Sequence, residues 1–308
     1  MNMLFDIILP TCDNRDELLA CLQGFEHQTL TSFRLLICID GSNDGTHEML
    51  EHYIPSSKMN IVILEHPDRK NHGRNATRNL ALDYISADYV MCLDTDAIPT
   101  PNIVEEHLFI QKKEKCISAG DLTYVNANEN KWAAYLHTRG KKRYLSGDEI
   151  PFQYITTGNV CMPSSWFKEV GGQDSKMRTY GGGDTEFAYR LQKRYGMKCY
   201  YAKNAIAYST MNKSLRFALD QMQQFGAINL RYIRNKHPEF TQLFRIGELL
   251  GPTFSSRLMR FALHPIFGYF SEALAELLPT NIAIHLIAHA VGSRILKGYA
   301  TGIDPLNQ

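Results

Sequence analysis

Asp94-Thr95-Asp96 follows a short apolar run, Tyr89–Leu93. Side chains two apart on an extended segment share a face, so this spacing sets two carboxylates side by side. Paired carboxylate oxygens suit a hard divalent cation: Mg2+ or Mn2+ needs only one or two of them when the phosphates of a substrate complete its shell. Read alone, D-x-D at a strand end is equally a turn or a helix cap. Two more aspartates stand in turn-rich settings, Asp40 ahead of Gly41-Ser42 and Asp184 behind Gly181-Gly182-Gly183.

The elements that must position these groups are legible as periodicities. Four apolar runs, Phe5–Leu9, Leu35–Ile39, Ile61–Leu64 and Tyr89–Leu93, alternate with segments whose apolar residues recur three and four apart. That alternation predicts an α/β domain whose sheet is mostly parallel, flanked by helices on both faces, with ligands at the carboxyl ends of its strands. Pro10-Thr11, Asp40-Gly41-Ser42 and Asp94-Thr95-Asp96 end the first, second and fourth runs, so three polar loops converge on one rim. Beyond them the patterning predicts a helix over Ile103–Lys113, a strand over Cys116–Ala119, and an irregular, functional stretch through Gly147. Regularity returns at Tyr154–Met162, followed by the Gly-rich stretch Gly171–Gly183 and an amphipathic helix over Asp184–Tyr195. From about Lys213 the pattern is helical only, with a soft boundary near Pro238–Pro252. The expected division is a catalytic domain over 1–237, with halves at 1–100 and 101–237, and a helical C-terminal extension over 238–308.

Four ordered motifs are more specific than any one of them. Phe5-Asp6-Ile7-Ile8-Leu9-Pro10-Thr11-Cys12-Asp13-Asn14-Arg15, then Leu35-Leu36-Ile37-Cys38-Ile39-Asp40-Gly41-Ser42-Asn43-Asp44-Gly45-Thr46, resemble the opening strand and the D-G-S-x-D-G-T turn of family-2 glycosyltransferases. Gly73-Arg74-Asn75-Ala76-Thr77-Arg78-Asn79-Leu80-Ala81 is similar to that family's G-x-x-x-A-R-N segment, and Leu93-Asp94-Thr95-Asp96 follows it. The resemblance continues through Thr157-Gly158-Asn159 and Val170-Gly171-Gly172-Gln173-Asp174 to Gly182-Gly183-Asp184-Thr185-Glu186-Phe187, covering roughly residues 5 to 210. It implies a GT-A (Rossmann-like) fold, a nucleotide-sugar donor, a divalent metal, Mn2+ or Mg2+, and an inverting transfer to a glycan or lipid-linked glycan acceptor. Two positions depart from the family pattern. Gly183 stands where Glu is usual, and Ser209 falls near where many relatives place a metal-binding His.

Roles follow for individual residues. A pyrimidine imide N–H wants an acceptor, which Asp40 beside Pro10 and Thr11 supplies, with a turn-capping Asp as the alternative. Arg78 suits the ribose or diphosphate of a UDP-sugar, against a structural ion pair with Asp83 or Asp88. Asp94 and Thr95 join the donor contacts, and Asp96, with Asp94, is expected to hold the metal, which offsets charge on the departing diphosphate. The acceptor hydroxyl must lose a proton as it attacks, a task worth about 10²–10⁴ in rate, and Asp184 is the candidate base. As a helix-capping residue it has a structural alternative. Trp132, Asn159, Gly182 and Gly183 are the expected acceptor contacts. Around Trp132, the basic cluster Arg139, Lys141, Lys142 and Arg143 suits phosphate or is simply a solvated face.

Composition removes several classes. Lys plus Arg number 33 against 32 Asp plus Glu, a net charge of +1, so no overall field gathers nucleic acid. No G-x-G-x-x-G follows the first run and no Lys-Ser/Thr follows the glycine triplet, against dehydrogenase and P-loop readings. A sugar-1-phosphate nucleotidyltransferase and a catalytically lapsed sugar-binding module stand as alternatives. The seven cysteines form no C-x-x-C pair and read as reduced thiols in a cytoplasmic protein. Met1–Asp6 does not start an export signal, and Leu277–Ser293 is too interrupted to supply the roughly 20 apolar residues of a bilayer span. His285, His289, Ser293 and Lys297 mark one polar face of a C-terminal helix. That helix, with Arg257, Arg260 and Arg294, is expected to dock on the catalytic domain, on a second subunit in a homo-oligomer, or peripherally on the inner face of the plasma membrane.

Overall fold

In the computed structural model, which describes residues 4–239 and 249–302, the four apolar runs are strands, the first three slightly longer than their patterns and the fourth coincident with its own. They are β1 (Phe5–Thr11), β2 (Phe33–Ile39), β3 (Asn60–Glu65) and β4 (Tyr89–Leu93), separated by helices α1 (Arg15–Phe25), α2 (Thr46–Tyr53) and α3 (Arg74–Asn79). Parallel pairs such as Phe5↔Phe33, Phe5↔Tyr89 and Arg34↔Asn60 set the order β3-β2-β1-β4. Both faces are covered, which is why the strands are continuously apolar. Phe5, Ile7 and Leu9 pack with Leu18, Leu22 and Phe25 of α1, while Ile8, Leu36 and Cys38 pack with Ile85, Phe167 and Phe187 on the other side.

The chain continues through β5 (Ala97–Pro99), α4 (Ile103–Gln111), β6 (Ile117–Tyr124), α5 (Lys131–His137), β7 (Asn159–Pro163), α6 (Ser164–Glu169), α7 (Gly183–Tyr195) and β8 (Cys199–Ser209). The eight-stranded sheet runs β3-β2-β1-β4-β7-β6-β8-β5. β7 is antiparallel to both β4 and β6, β6 and β8 are parallel, and β8 and β5 antiparallel. β8 has no counterpart among the expected strands. Its register against β6 slips between Gly120 and Asp121, looping Lys203–Ala205 out and breaking the alternation that would have announced it.

Asn159, expected among the acceptor contacts, is instead fully buried in this sheet. Its Nδ2 donates to the carbonyls of Asp121 and Ala205, both at 2.9 Å, and its Oδ1 lies 2.9 Å from His107 Nε2. His107 Nδ1 is 2.7 Å from Ser118 Oγ, so the neutral ring fits as donor at one nitrogen and acceptor at the other. Burial pushes the imidazole from its ordinary 6.5 down to about 4. Between those values the unfolded chain binds the proton and the folded one does not, so stability falls as pH drops from 6.5 towards 4. The loss should be on the order of 3 kcal/mol. Thermal melts across that range should show it, and His107→Gln should flatten the slope.

Two compact units divide the chain. The first contains the sheet and comprises Met1–Val125, Gly140–Arg178 and Asp184–Thr210; the second comprises Asn126–Arg139, Thr179–Gly183 and Met211–Gln308. The second unit is helical, with α5, α8 (Leu215–Ala227), α9 (Asn229–Lys236), α10 (Phe254–Ala262), α11 (Pro265–Leu277) and α12 (Thr280–Thr301). Thus α8 and α9, assigned by patterning to the acceptor half, cluster with the C-terminal helices. The expected boundary at Pro238–Pro252 falls largely outside the described residues. Where α8 meets α12 the backbones touch: a Cβ on Gly298 would lie 1.9 Å from the Gln223 carbonyl oxygen. The polar face of α12 is partly engaged within the unit, with Ser293 buried and His285 exposed. His289 lies 2.9 Å from both Ser271 Oγ and the Ala262 carbonyl, and Lys297 donates to the Tyr269 hydroxyl at 2.6 Å. Arg294, expected beside an apolar docking surface, is buried and paired with Asp220 and Glu272. Among the described residues no helix is long and apolar enough to cross a membrane.

Candidate active site

The carboxyl ends of β2, β1 and β4 lie side by side because the strands are parallel neighbours, and they carry Asp40, Thr11 and Asp94 to one edge. Asp40 is buried there. Its carboxylate accepts the backbone N–H groups of His72 at 2.6 Å and Gly73 at 3.0 Å, so it holds the loop that leads into α3 rather than its own turn. Thr95 is buried too, donating its hydroxyl to the Pro10 carbonyl and accepting from Asn14 Nδ2, both at 2.8 Å. Asn14 also accepts from the Thr11 hydroxyl. Pro10, Thr11 and Thr95 are therefore tied into one rigid loop cluster beneath the rim.

α3 delivers Arg78 into the protein, 1% exposed. It pairs with Asp94, rather than with Asp83 or Asp88, and its Nη1 donates to Gln173 Oε1 at 3.2 Å. The Gln173 amide then donates to Asp184 Oδ1 at 3.3 Å and to the Thr157 hydroxyl at 3.2 Å, while that hydroxyl itself donates to Asp184 Oδ1 at 2.5 Å. A continuous line of hydrogen bonds, Asp94–Arg78–Gln173–Asp184, thus joins the D-x-D end of β4 to the start of α7. Arg78 is held at both Nη atoms while its buried Nε has no partner among the described residues, and Gln173 is held at both ends of its amide. Side chains fixed in this way orient the carboxylate they reach. Gly158 closes the floor: a Cβ there would come within 2.9 Å of Asp94 Oδ2.

The D-x-D pair does not lie on an extended segment. The Ala97 amide donates to the Asp94 carbonyl at 3.2 Å, closing a turn between β4 and β5. Asp94 is directed to Arg78 and, at 3.9 Å, to Arg74, while Asp96 is exposed. Among the described residues no group of three or more His, Cys, Asp or Glu is placed to hold a metal. One exposed carboxylate fits an ion such as Mg2+ or Mn2+ that takes its other ligands from water and diphosphate, and would not fit an all-protein cage.

The remaining sequence candidates divide. Trp132 belongs to the second unit, is buried, and packs on Tyr135 at 5.2 Å between ring centroids, so it offers no open face to a sugar. Gly181 and Gly182 lead into α7 with φ of +92° and +82°, conformations that only glycine adopts freely, and Gly183 opens the helix itself. Within the basic cluster Lys142 pairs with Asp121 at 2.5 Å, and Lys141 is buried, its Nζ donating to Thr156 Oγ1 at 3.4 Å. Burial pushes Lys141 down to about 8, against the opposing pull of Asp121 and Asp184. Gln173 and Thr157 have no expected site role from residue type, and Lys141, expected in a phosphate-binding or solvated basic cluster, is buried instead. The first two lie in quoted motifs, but a buried polar side chain leaves no periodic signature.

The fold is a GT-A architecture, with Asp40 and Asp94 at the carboxyl ends of neighbouring parallel strands. Residues 6–171, more than half of the chain, match glycosyl transferase family 2, and the chain belongs to that family. Residues 144–214 also match the N-terminal domain of galactosyltransferase. A chondroitin synthase of Escherichia coli is 24% identical over 242 residues, covering 66% of this chain and 34% of that protein. A chondroitin synthase of Pasteurella multocida is 25% identical, over 62% and 23% respectively. The chain thus spans about a third or less of these relatives. Among solved structures, a mannosyltransferase of Pyrobaculum calidifontis in complex with GDP-Man and Mn2+ superposes with a TM-score of 0.62 at 12% identity, covering 98% of this chain and 88% of its own. S. aureus TarS in complex with UDP-GlcNAc gives 0.55 at 14%, over 97% and 91%.

Proposed function

We propose that the chain is an inverting glycosyltransferase that moves a sugar from a nucleotide diphosphate, UDP in preference, to a hydroxyl of a glycan or lipid-linked glycan. The observation that carries this reading is the hydrogen-bonded line from Asp94 to Asp184, because it ties the donor edge of the sheet to a carboxylate able to act as base. Asp184 receives both of its bonds on Oδ1, and among the described residues none is formed at Oδ2. Oδ2 takes the acceptor proton as the acceptor oxygen bonds to the anomeric carbon and the bond from that carbon to the diphosphate breaks on the opposite side. Attack from the face opposite the leaving group inverts the anomeric centre. Arg78 and Gln173 hold the base in place, and the buried Pro10, Thr11, Asp40 and Thr95 support from beneath the rim that the nucleotide meets.

Asp96 would hold the divalent ion, whose chemistry when bound is to neutralise charge on the diphosphate. UDP is favoured by the UDP-GlcNAc complex of TarS, and GDP-Man in the mannosyltransferase makes a guanosine donor the second choice. A thermal-shift panel tests these assignments together. UDP with Mn2+ should stabilise the protein by about 2.7 kcal/mol at a hundredfold excess over Kd. Asp96→Ala should lose the Mn2+-dependent part of the shift and keep the unliganded melting temperature. Stabilisation by UDP without any release of UDP from UDP-sugars would instead leave a binding module, the outcome that Gly183 in place of the usual Glu would explain.

A further inference from the structure

Two helices of the second unit are built inside out. In α10 the buried side chain is Ser256, while Phe254, Leu258 and Phe261, four and seven residues apart on one stripe, are exposed. In α11 the buried residues are Gly268, Ser271 and Ala275, and Ile266, Phe270 and Leu277 are exposed; Phe254 and Leu277 are 82% and 81% accessible. Small residues facing the neighbouring helix and large apolar ones facing outward is the packing of helices whose surroundings are not water. Gly268 lets α11 seat directly on α12, where a Cβ would lie 2.1 Å from Ser293 Oγ.

Charge identifies the occupant. The cationic border belongs to α10, which carries Arg257 and Arg260 and no Asp or Glu and is followed by His264, whereas α11 carries Glu272, paired with Arg294, and Glu276, exposed beside Leu277 at its far end. Arg257 is exposed beside the apolar stripe. Arg260 donates to the carbonyls of Leu249 and Gly251 at 2.7 and 2.8 Å, which anchors the start of α10. An apolar stripe bordered by cations fits the boundary between acyl chains and anionic headgroups. A second copy of the same cationic face would bring like charges together.

We propose that the outward face of α10 and α11 docks on an anionic lipid bilayer, lying in its interface without crossing it. This inference uses only the helical unit and stands apart from the catalytic reading. The full chain should float with vesicles of equimolar phosphatidylcholine and phosphatidylglycerol, and far less with phosphatidylcholine alone. The double variant Phe261→Ser, Phe270→Ser should weaken that partition by about tenfold or more. Arg257→Glu should reduce the preference for the anionic vesicles. Both phenylalanines are exposed, so an unchanged melting curve for the double variant certifies its fold. The proposal is overturned if the parent chain stays unbound with anionic vesicles, or if the double variant floats equally well. It is also overturned if the face instead holds together a solution dimer that the double substitution dissociates and that does not float.

Discussion

Asp184→Asn is expected to lower the rate of sugar transfer by about 10²–10⁴ while leaving the protein folded. The substitution keeps an oxygen at Oδ1 to accept from the Thr157 hydroxyl and the Gln173 amide, so the local hydrogen bonds survive. What it removes is the capacity to take a proton. If Asp184 acts on the acceptor, as proposed, the loss should fall on kcat, with KM for the nucleotide sugar changed little. Initial rates of UDP release with and without acceptor, alongside a thermal melt, separate these quantities. A variant with the parent's rate would show that some other group accepts the proton, and Asp184 would then be only the helix-capping residue that its place at the start of α7 also permits.

How far the molecule was legible depends on what kind of force fixes each part. The parallel half of the sheet was readable because burial on both faces forces unbroken apolar runs, and β1 to β4 lie where Phe5–Leu9, Leu35–Ile39, Ile61–Leu64 and Tyr89–Leu93 put them. The rim followed from the same parallelism. β8 was not readable, since its looped-out Lys203–Ala205 interrupts the period on which strand recognition depends. Asn159 and Trp132 misled for a shared reason: both residue types suit a sugar, and in both the side chain is consumed by the interior. In the D-x-D segment, the period-two rule assumed an extended backbone, and the chain forms a turn at Asp94–Ala97 instead. Gln173 marks the limit of local patterning, because its partners lie at positions 78, 157 and 184 and only the folded chain brings them together.

Arg78→Met should be the most costly single change to stability at the site. Methionine matches much of the stem but strands two acceptors, the Asp94 carboxylate and Gln173 Oε1, in a place where the guanidinium is almost wholly buried. Leaving one partner of a buried pair uncompensated costs about 3–5 kcal/mol, and partial exposure of Asp94 lowers that to about 2–3 kcal/mol. A fall in melting temperature on the order of 3–5 °C follows for a chain of this size. Arg78→Lys should recover part of the stability through its charge, but a single ammonium lacks the fork that reaches both acceptors. It should therefore leave Gln173 unanchored. If the line from Asp94 to Asp184 positions the base, Arg78→Lys should remain slow in transfer even where its melting temperature has been largely restored. If Arg78 serves only the fold, rate and stability should return together.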